Sequence, residues 1–476
     1  MTTGTLQPRT GTNAVAVHKT AILAIILISY FMLILDNSII FTGLPTIQRS
    51  MGFTQTGLTW VQDAYTLTFG GLLLLGARAG DIVGRRRMFL IGLVIFTVAS
   101  GLVGASQSEA WMIAARALQG IGSAILAPAS LSLITATFEE GHERGRAVAL
   151  YSAVAGIGAS LGMVVGGVFA DLISWRAGFY INLPIGVVMF ILAVRFLIET
   201  PRTPGRFDVF GALTSTVGVG SLIFGVIESS TRGWGSPVTI TAVAVGVIVL
   251  VLLVVNEWRA AQPIMPLRLF RGATRSGAYA VRFLYMGAMM GFFFFTTQFL
   301  QEAFGWSPLQ AGLGFLPMSI VNFAVAMAVP RLLHQIHGGI VLIAGIALTG
   351  IGLLWLAQAT ADSSFLLAVA APMVVIGAGQ GLAFAPLTSF GIAGATSADA
   401  GAASGLVNTA HQLGSSLGLA VLVAASTALT TGTGVVGVVG RTHSALTLAS
   451  IFIAAALILC AVVIVPTVAR QRRTFP

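Results

Sequence analysis

The chain has 476 residues, of which 56% are hydrophobic and 8% are charged, and its formal net charge is +10. Soluble domains carry about 25% charged residues, so the composition excludes an ordinary soluble protein and predicts an all-α integral membrane protein with many spans. A positive net charge favours nucleic acid as the partner of a soluble protein. In membrane proteins, however, basic residues collect in cytoplasmic loops, and no nucleic-acid partner is expected.

Apolar windows predict fourteen transmembrane helices. A spanning helix needs about 20 mostly apolar residues, and the first window is too long for the core of a signal peptide, so it is expected to be an uncleaved span. The windows fall at 19–44, 57–77, 86–105, 110–137, 147–172, 177–198, 208–228, 236–258, 276–303, 306–330, 338–359, 363–389, 400–429 and 444–468.

Arginines set the orientation of these spans. With fourteen spans, one side of the membrane carries Arg78, Arg85, Arg86, Arg87, Arg144, Arg146, Arg202, Arg206, Arg259, Arg268, Arg271, Arg275, Arg470, Arg472 and Arg473. The loops of the other side carry only Arg49, Arg176, Arg232 and Arg441. Because basic residues favour cytoplasmic loops, both termini are predicted to be cytoplasmic, in a multi-pass protein of the cell membrane.

An internal repeat divides the chain into two halves. "GASLGMVV" (158–165) resembles "GSSLGLAV" (414–421), and "QGIGSAILAP" (119–128) resembles "GAGQGLAFAP" (377–386). The offsets are 256 and 258 residues. The repeat predicts two six-helix bundles, residues 1–207 and 276–476, joined by two inserted helices in residues 208–275. Related halves of this kind hold a substrate site near the midplane at their interface.

Seven motifs resemble the major facilitator superfamily, and specifically its fourteen-span drug:proton antiporter branch. They are "LDNSIIFTGLP" (35–45), "ARAGDIVGRRR" (77–87), "RALQGIGSAILAP" (116–128), "GASLGMVVGG" (158–167), "SWRAGFYINLPIG" (174–186), "PLRLFR" (266–271) and "SPLQAGLGFLP" (307–317). The resemblance implies a major facilitator fold and proton-coupled export, by alternating access, of amphipathic organic compounds, cations among them. The partners it implies are a small-molecule substrate, protons and the bilayer, with the monomer as the working unit.

Two other functions stay open at this point. One is an exporter dedicated to a single natural product or metabolite. The other is an uncoupled facilitative carrier or ligand sensor, which Met163 favours because it stands where the antiporter signature of span 5 has proline. An enzyme is not expected, and neither is a cofactor or a metal, since the chain has no "GxxxxGK[ST]" motif and His334 and His337 are too isolated for a metal site.

Asp36 and Arg116 are charges inside apolar spans. At about 1.5 Å per residue they lie roughly 13 Å and 9 Å below the outer ends of spans 1 and 4, so we expect a pair or a shared cavity. Intramembrane charges favour function, and Asp36 is predicted to bind a proton and a cationic substrate in competition. A structural ion pair or a helix-bending hydrogen bond is the alternative. Arg116 either takes part in proton coupling, as the resemblance implies, or only favours the charged form of Asp36.

Asp63 and the start of the second loop carry further charges. Asp63, near the outer end of span 2, is either solvated at the interface or a second acid of the coupling site. Asp81 and Arg85 have the i, i+4 spacing of a local charge pair. The resemblance implies that Asp81 also caps a helix of the opposite half in the outward-open state, so Asp81, Gly84 and Arg85 are predicted to form a cytoplasmic gate.

Small and polar residues complete the predicted site. Glycines permit close helix packing at a moving interface, and the predicted hinge consists of Gly158, Gly162, Gly166 and Gly167. The residues predicted to line a cavity are Gln119, Phe294, Gln298, Asn408 and His411. For the aromatic run around Phe294 the alternative is a core or lipid-facing position, for His411 a packed hydrogen-bonding role. Arg282 is expected to snorkel.

Overall fold

The structure is a computed structural model that describes residues 10–139, 142–200, 202, 207–260, 263, 265–395 and 399–466. These residues form sixteen α-helices and no strand. The helices are α1 (Thr10–Met51), α2 (Gln55–Val83), α3 (Arg85–Gly104), α4 (Glu109–Thr137), α5 (His142–Leu172), α6 (Trp175–Tyr180), α7 (Asn182–Phe196), α8 (Val209–Arg232), α9 (Pro237–Arg259), α10 (Ala273–Gln298), α11 (Pro308–Gly314), α12 (Leu316–Gln335), α13 (Gly338–Leu356), α14 (Ala371–Ile392), α15 (Ala400–Leu429) and α16 (Gly434–Leu459). A 3-10 segment, Leu267–Arg271, precedes α10, and π-helical turns lie at Phe299–Ala303, Leu366–Ala370 and Cys460–Ile464.

The predicted spans correspond to these helices. Thirteen described helical stretches are long and apolar enough to cross a membrane. The predicted fifth span lies in α5, a helix of 31 residues. Its apolar part, Leu161–Leu172, is shorter than the thirteen candidate spans. Counting α5 with the thirteen is consistent with fourteen spans. Of the arginines used for orientation, Arg206, Arg470, Arg472 and Arg473 lie outside the described residues.

Two helix groups and a helix pair make up the molecule. The helices α1 to α7 pack with one another, α10 to α16 form a second group, and α8 packs along α9. The pair touches both groups, because α8 contacts α2 and α15. The division into residues 1–207, 208–275 and 276–476 remains a prediction, and this grouping supports it.

The two groups meet along α2 and α15 and also at one end of the bundle. We call the end that holds the α2–α3 turn at Gly84 the basic end. At the opposite end α5 packs against α11, and the rings of Phe41 and Phe293 lie 5.6 Å apart. Gln301 Nε2 donates to the carbonyl oxygen of Thr42 at 2.9 Å. The halves are therefore closed against each other at the end opposite the basic end.

Hydroxyl caps fix where several helices begin. Thr54 Oγ1 accepts a hydrogen bond from the Gly57 amide at 3.0 Å at the start of α2. Ser307 and Gln310 form a reciprocal capping box at the start of α11. Such caps satisfy amide groups that have no partner within the helix, and they set the register of the buried polar residues described next.

Candidate functional site

The Asp36–Arg116 ion pair lies inside the first half. Asp36 is on α1 and Arg116 is on α4, and both side chains are 0% exposed. Arg116 Nη1 donates to Asp36 Oδ2 at 2.9 Å. The structure therefore joins the two charges whose similar depths predicted a pair, and their formal charges cancel.

Two amides complete the surroundings of Asp36. Gln119 Nε2 and Asn182 Nδ2 each donate to Asp36 Oδ1 at 2.8 Å. Gln119 Oε1 accepts from Arg116 Nη1 at 2.6 Å, and Gln119 Nε2 also donates to Ser100 Oγ at 2.7 Å. Three donors thus face a side chain that, when ionised, can only accept hydrogen bonds, and the geometry fits the carboxylate form of Asp36. Gln119, predicted to line a cavity, is fully buried in this network.

Arg116 also connects α4 to α2. Its Nε donates to the carbonyl oxygen of Val61 at 2.9 Å, and its guanidinium carbon lies 4.4 Å from the centre of the Tyr65 ring. Such a cation–π contact adds about 0.5–2 kcal/mol. One guanidinium therefore holds α1, α2 and α4 together, so a change in its charge partner acts on all three helices.

Asn182 and Ser100 are not among the residues predicted from the sequence. Asn182 stands in the apolar run of span 6, where an amide is itself a signal of a polar contact inside the protein. Ser100 gives no such signal, because a serine in a span commonly bonds its own helix, and Ser100 Oγ does donate to the carbonyl oxygen of Phe96 at 2.8 Å.

Asp63 lies at the seam between the halves. It is 0% exposed, so the expectation of interfacial solvation is wrong: the α2–α15 contact covers it. Neither carboxylate oxygen has a hydrogen-bond partner, although Ser416 of α15 is close enough to interact with it. Next to it the hydroxyls of Thr66 and Ser416 share a hydrogen bond across the seam. A buried acid whose carboxylate lies beside Ser416 of the other half thus sits between the two halves.

The basic end contains the predicted local charge pair. Arg85 Nη2 donates to Asp81 Oδ1 at 3.2 Å, and Arg85 Nη1 donates to the carbonyl oxygen of Ser132 on α4 at the same distance. Gly84 separates α2 from α3 with φ at 119°, a conformation that favours glycine. Glu199, which the sequence does not single out, accepts from the first amides of α3 at 3.1 and 3.2 Å.

Three of the four hinge glycines pack within one half. A Cβ added to Gly158, Gly162 or Gly166 would meet atoms of α1 at 3.0, 2.4 and 2.6 Å. Only Gly167 faces the other half, where its Cβ would lie 2.6 Å from the carbonyl oxygen of Pro308 on α11. The glycine ladder therefore serves close packing of α5 on α1, and the expected moving interface is limited to Gly167.

Met163 lies at the same contact between the halves. Its side chain is 3% exposed, and its carbonyl oxygen abuts Gly312 of α11, where an added Cβ would be 2.4 Å away. The residue that replaces the family's proline is thus part of the closed end of the interface.

The predicted cavity residues of the second half are distributed differently. Phe294 and Gln298 are 0% and 3% exposed, and Gln298 Nε2 donates to the Phe294 carbonyl of its own helix at 3.3 Å. Both are buried in this state, which fits the core position that is the alternative for the aromatic run, and their place in a cavity lining stays a prediction. Asn408 on α15 is exposed and donates to the Ser404 carbonyl.

Arg282 does not snorkel. It is 6% exposed, its Nη2 lies 3.0 Å from His411 Nδ1, and its guanidinium carbon lies 4.3 Å from the centre of the Phe384 ring. These two contacts hold the arginine against α14 and α15. A snorkelling side chain would lose both of them. His411 is a packed hydrogen-bonding group here.

Known proteins share this sequence and this fold. Residues 26–419 match the model of the Major Facilitator Superfamily. The chain is 39% identical to the cephamycin export protein CmcT of Amycolatopsis lactamdurans, with 89% of this chain and 88% of that protein covered. It is 34% identical to the puromycin resistance protein pur8 of Streptomyces alboniger, with 86% and 82% covered. A crystal structure of a POT family transporter in complex with a thioalcohol-conjugated peptide matches with a TM-score of 0.67 at 15% identity, over 92% of this chain and 94% of that one. The chain therefore belongs to the major facilitator superfamily of membrane transporters.

Proposed function

We propose that this efflux transporter exchanges protons for amphipathic organic compounds by alternating access, and that Asp36 is its proton-binding group. The observation that carries the proposal is the closed network of Asp36, Arg116, Gln119 and Asn182 inside the first half. It contains one group that can gain and lose a proton, held beside one that cannot.

Protonation of Asp36 changes the contacts of three helices. A neutral acid removes the charge partner of Arg116 and turns one of the three accepting positions of the carboxylate into a donor. The guanidinium keeps its bonds to Val61 and Gln119, but it then carries a buried charge without a counter-charge, which is costly. A proton that arrives or leaves therefore favours a different arrangement of α1, α4 and α7, and this supports coupling.

The driving force suffices for export. One unit of pH gradient supplies about 1.4 kcal/mol per proton, and about 100 mV adds roughly 2.3 kcal/mol per charge. For an uncharged substrate exchanged for one proton, these energies together sustain a substrate gradient on the order of a hundredfold or more, as long as proton and substrate are not loaded together.

The closed end and the basic end act as the two gates in this proposal. With cytoplasmic termini, the contacts of Gly167 and Met163 with α11 close the outer side. We propose that Asp81 keeps its contact with Arg85 in this state and caps a helix of the second half when the basic end closes, with Gly84 as the turn that permits the change.

The relatives also favour a second candidate, an exporter dedicated to one natural product. Each of the two names given above refers to a single antibiotic, cephamycin or puromycin. A transport panel that contains both compounds separates the candidates, because a dedicated exporter moves one compound of the panel and a multidrug exporter moves several.

Transport by the purified chain in liposomes with an imposed pH gradient tests the proposal. The wild-type protein should move substrate uphill, release protons when substrate is added, and stop when a protonophore is present. Asp36→Asn should insert and fold but lose substrate-induced proton release. Asp171→Asn, which removes an exposed carboxylate at the end of α5, is the matched control and should keep it. If Asp36→Asn retains transport driven by the pH gradient, Asp36 is not the proton-binding group.

A further inference from the structure

Arg282 is a buried arginine whose hydrogen-bonding capacity is mostly unused. Of its five N–H donors, Nε carries one and Nη1 carries two, and neither nitrogen has a hydrogen-bond partner. The one partner in the structure is His411, whose Nδ1 lies 3.0 Å from Nη2. Arginine only donates, so His411 Nδ1 must be the acceptor and carries no proton. The pair therefore keeps the full positive charge of the guanidinium.

No carboxylate in the described part of the chain balances this charge. The ion pairs of the described residues join other arginines to acids, and the two orphaned nitrogens of Arg282 have no acceptor. A buried charge without a counter-charge is strongly unfavourable, and in proteins such charges are paired or bind ions. In the first half Arg116 meets this requirement through Asp36. The described residues of the second half supply no equivalent anion.

Arg282 lies on the face of α10 that also carries Phe293. Phe293 follows Arg282 by eleven residues on α10, about three helical turns, so the two side chains share one face of the helix. Phe293 contacts Phe41 of α1 in the first half. On α15, Asn408 precedes His411 by three residues and is exposed. The charge thus lies on the face of α10 that meets the first half about three turns further along the helix.

An aromatic surface adjoins the charge. The Phe384 ring lies under the guanidinium and meets the Tyr285 ring edge to face, with centres 6.0 Å apart. Guanidinium groups stacked on aromatic rings keep their N–H edges free for planar oxyanions, which they bind through two parallel hydrogen bonds. This site therefore fits an anionic group attached to an aromatic or apolar body.

We infer that Arg282, together with His411 and Phe384, binds the carboxylate of an anionic amphipathic substrate in the second half. The inference deepens the proposed export function and rests on it, because it takes the bound anion to be a transported substrate. It also adds anions to the expected substrates, because Arg282 offers an unpaired positive charge, whereas Asp36 is neutralised by Arg116 in this state.

Equilibrium binding of matched probes tests the inference without a pH gradient. The probes are 1-naphthoate and the uncharged 1-naphthamide, titrated calorimetrically into the purified full chain in detergent micelles. Naphthoate should bind and naphthamide should bind at least about tenfold more weakly, as expected for the loss of a charged hydrogen-bonded pair. Arg282→Gln should weaken naphthoate binding by about 10- to 100-fold, and Arg282→Lys should recover part of the loss.

Arg275→Gln is the matched control. Arg275 lies two turns earlier on α10 and is nearly as buried, but it donates to the carbonyl oxygens of Leu269 and Ala393, so its loss should leave naphthoate binding unchanged. The inference is overturned if no naphthoate binds, if the amide binds as well as the carboxylate, or if both arginine variants lose binding equally. Naphthoate binding is measured without a pH gradient on chains that keep Asp36, so a failure of Asp36→Asn to release protons does not affect this result, and the two proposals fail separately.

Discussion

A double-mutant cycle on Asp36 and Arg116 tests whether the buried pair is energetically coupled. Arg116→Gln leaves Asp36 with two amide donors and no counter-charge, and also removes the contacts with Val61 and Tyr65. Breaking a buried pair in this way costs about 3–5 kcal/mol. Asp36→Asn leaves Arg116 with its Val61 and Gln119 acceptors but without a counter-charge, and we expect a cost in the same range of about 3–5 kcal/mol.

The double variant carries neither buried charge. It should therefore be less destabilised than the sum of the two single variants by about 1.5 kcal/mol or more, within the range found for residues in one buried network. Unfolding of the purified chain in mixed micelles, with rising SDS, gives the four free energies. If the single costs add to within about 0.5 kcal/mol, the pair is not coupled and the mechanism built on its separation fails.

Three further changes probe packing, charge and capping. Gly162→Val should destabilise the chain by about 1–3 kcal/mol or more, because even a Cβ there lies 2.4 Å from a side-chain carbon of α1, whereas Gly401→Ala, with nothing within 4 Å, should not. Lys19 holds the pKa of the exposed Glu143 below its ordinary value. This contact therefore stabilises the folded chain at neutral pH, and the stabilisation is lost as the pH falls through the lowered pKa. Lys19→Gln should abolish that acid-side dependence in unfolding curves. Glu199→Gln should lower the thermal midpoint, since the charged cap of α3 contributes about 0.5–2 kcal/mol.

The span positions and the Asp36–Arg116 pair follow from the sequence because both depend on local quantities. Apolar windows measure length, and a known rise per residue converts position into depth. Two opposite charges at one depth in one half are expected to pair, since each would be costly to bury alone.

Side-chain partners on other helices need the rotation of each helix, which depth does not give. Phe294 and Gln298 share a polar and aromatic run with Phe293; the Phe293 ring lies against Phe41 of the first half, and Phe294 and Gln298 are buried. The α5 glycines repeat at i, i+4 spacing, which predicts that they share one face of the helix. The local sequence does not show whether that face packs against α1 or against α11. The same uncertainty hid Asn182, whose helix must face α1 before its amide can reach Asp36.

The two buried arginines differ in a way that assigns them different tasks. Neither can release its proton in a protein, so each keeps its charge through every step of a transport cycle. Arg116 faces an acid that can be neutralised by a proton, so in the proposed coupling its surroundings change with the proton gradient. Arg282 faces only a neutral histidine and aromatic rings, so no proton on a contacting group could supply the missing negative charge. A constant charge of this kind fits an anion that enters and leaves, and we therefore propose the second half as the place of the substrate and the first half as the place of the proton.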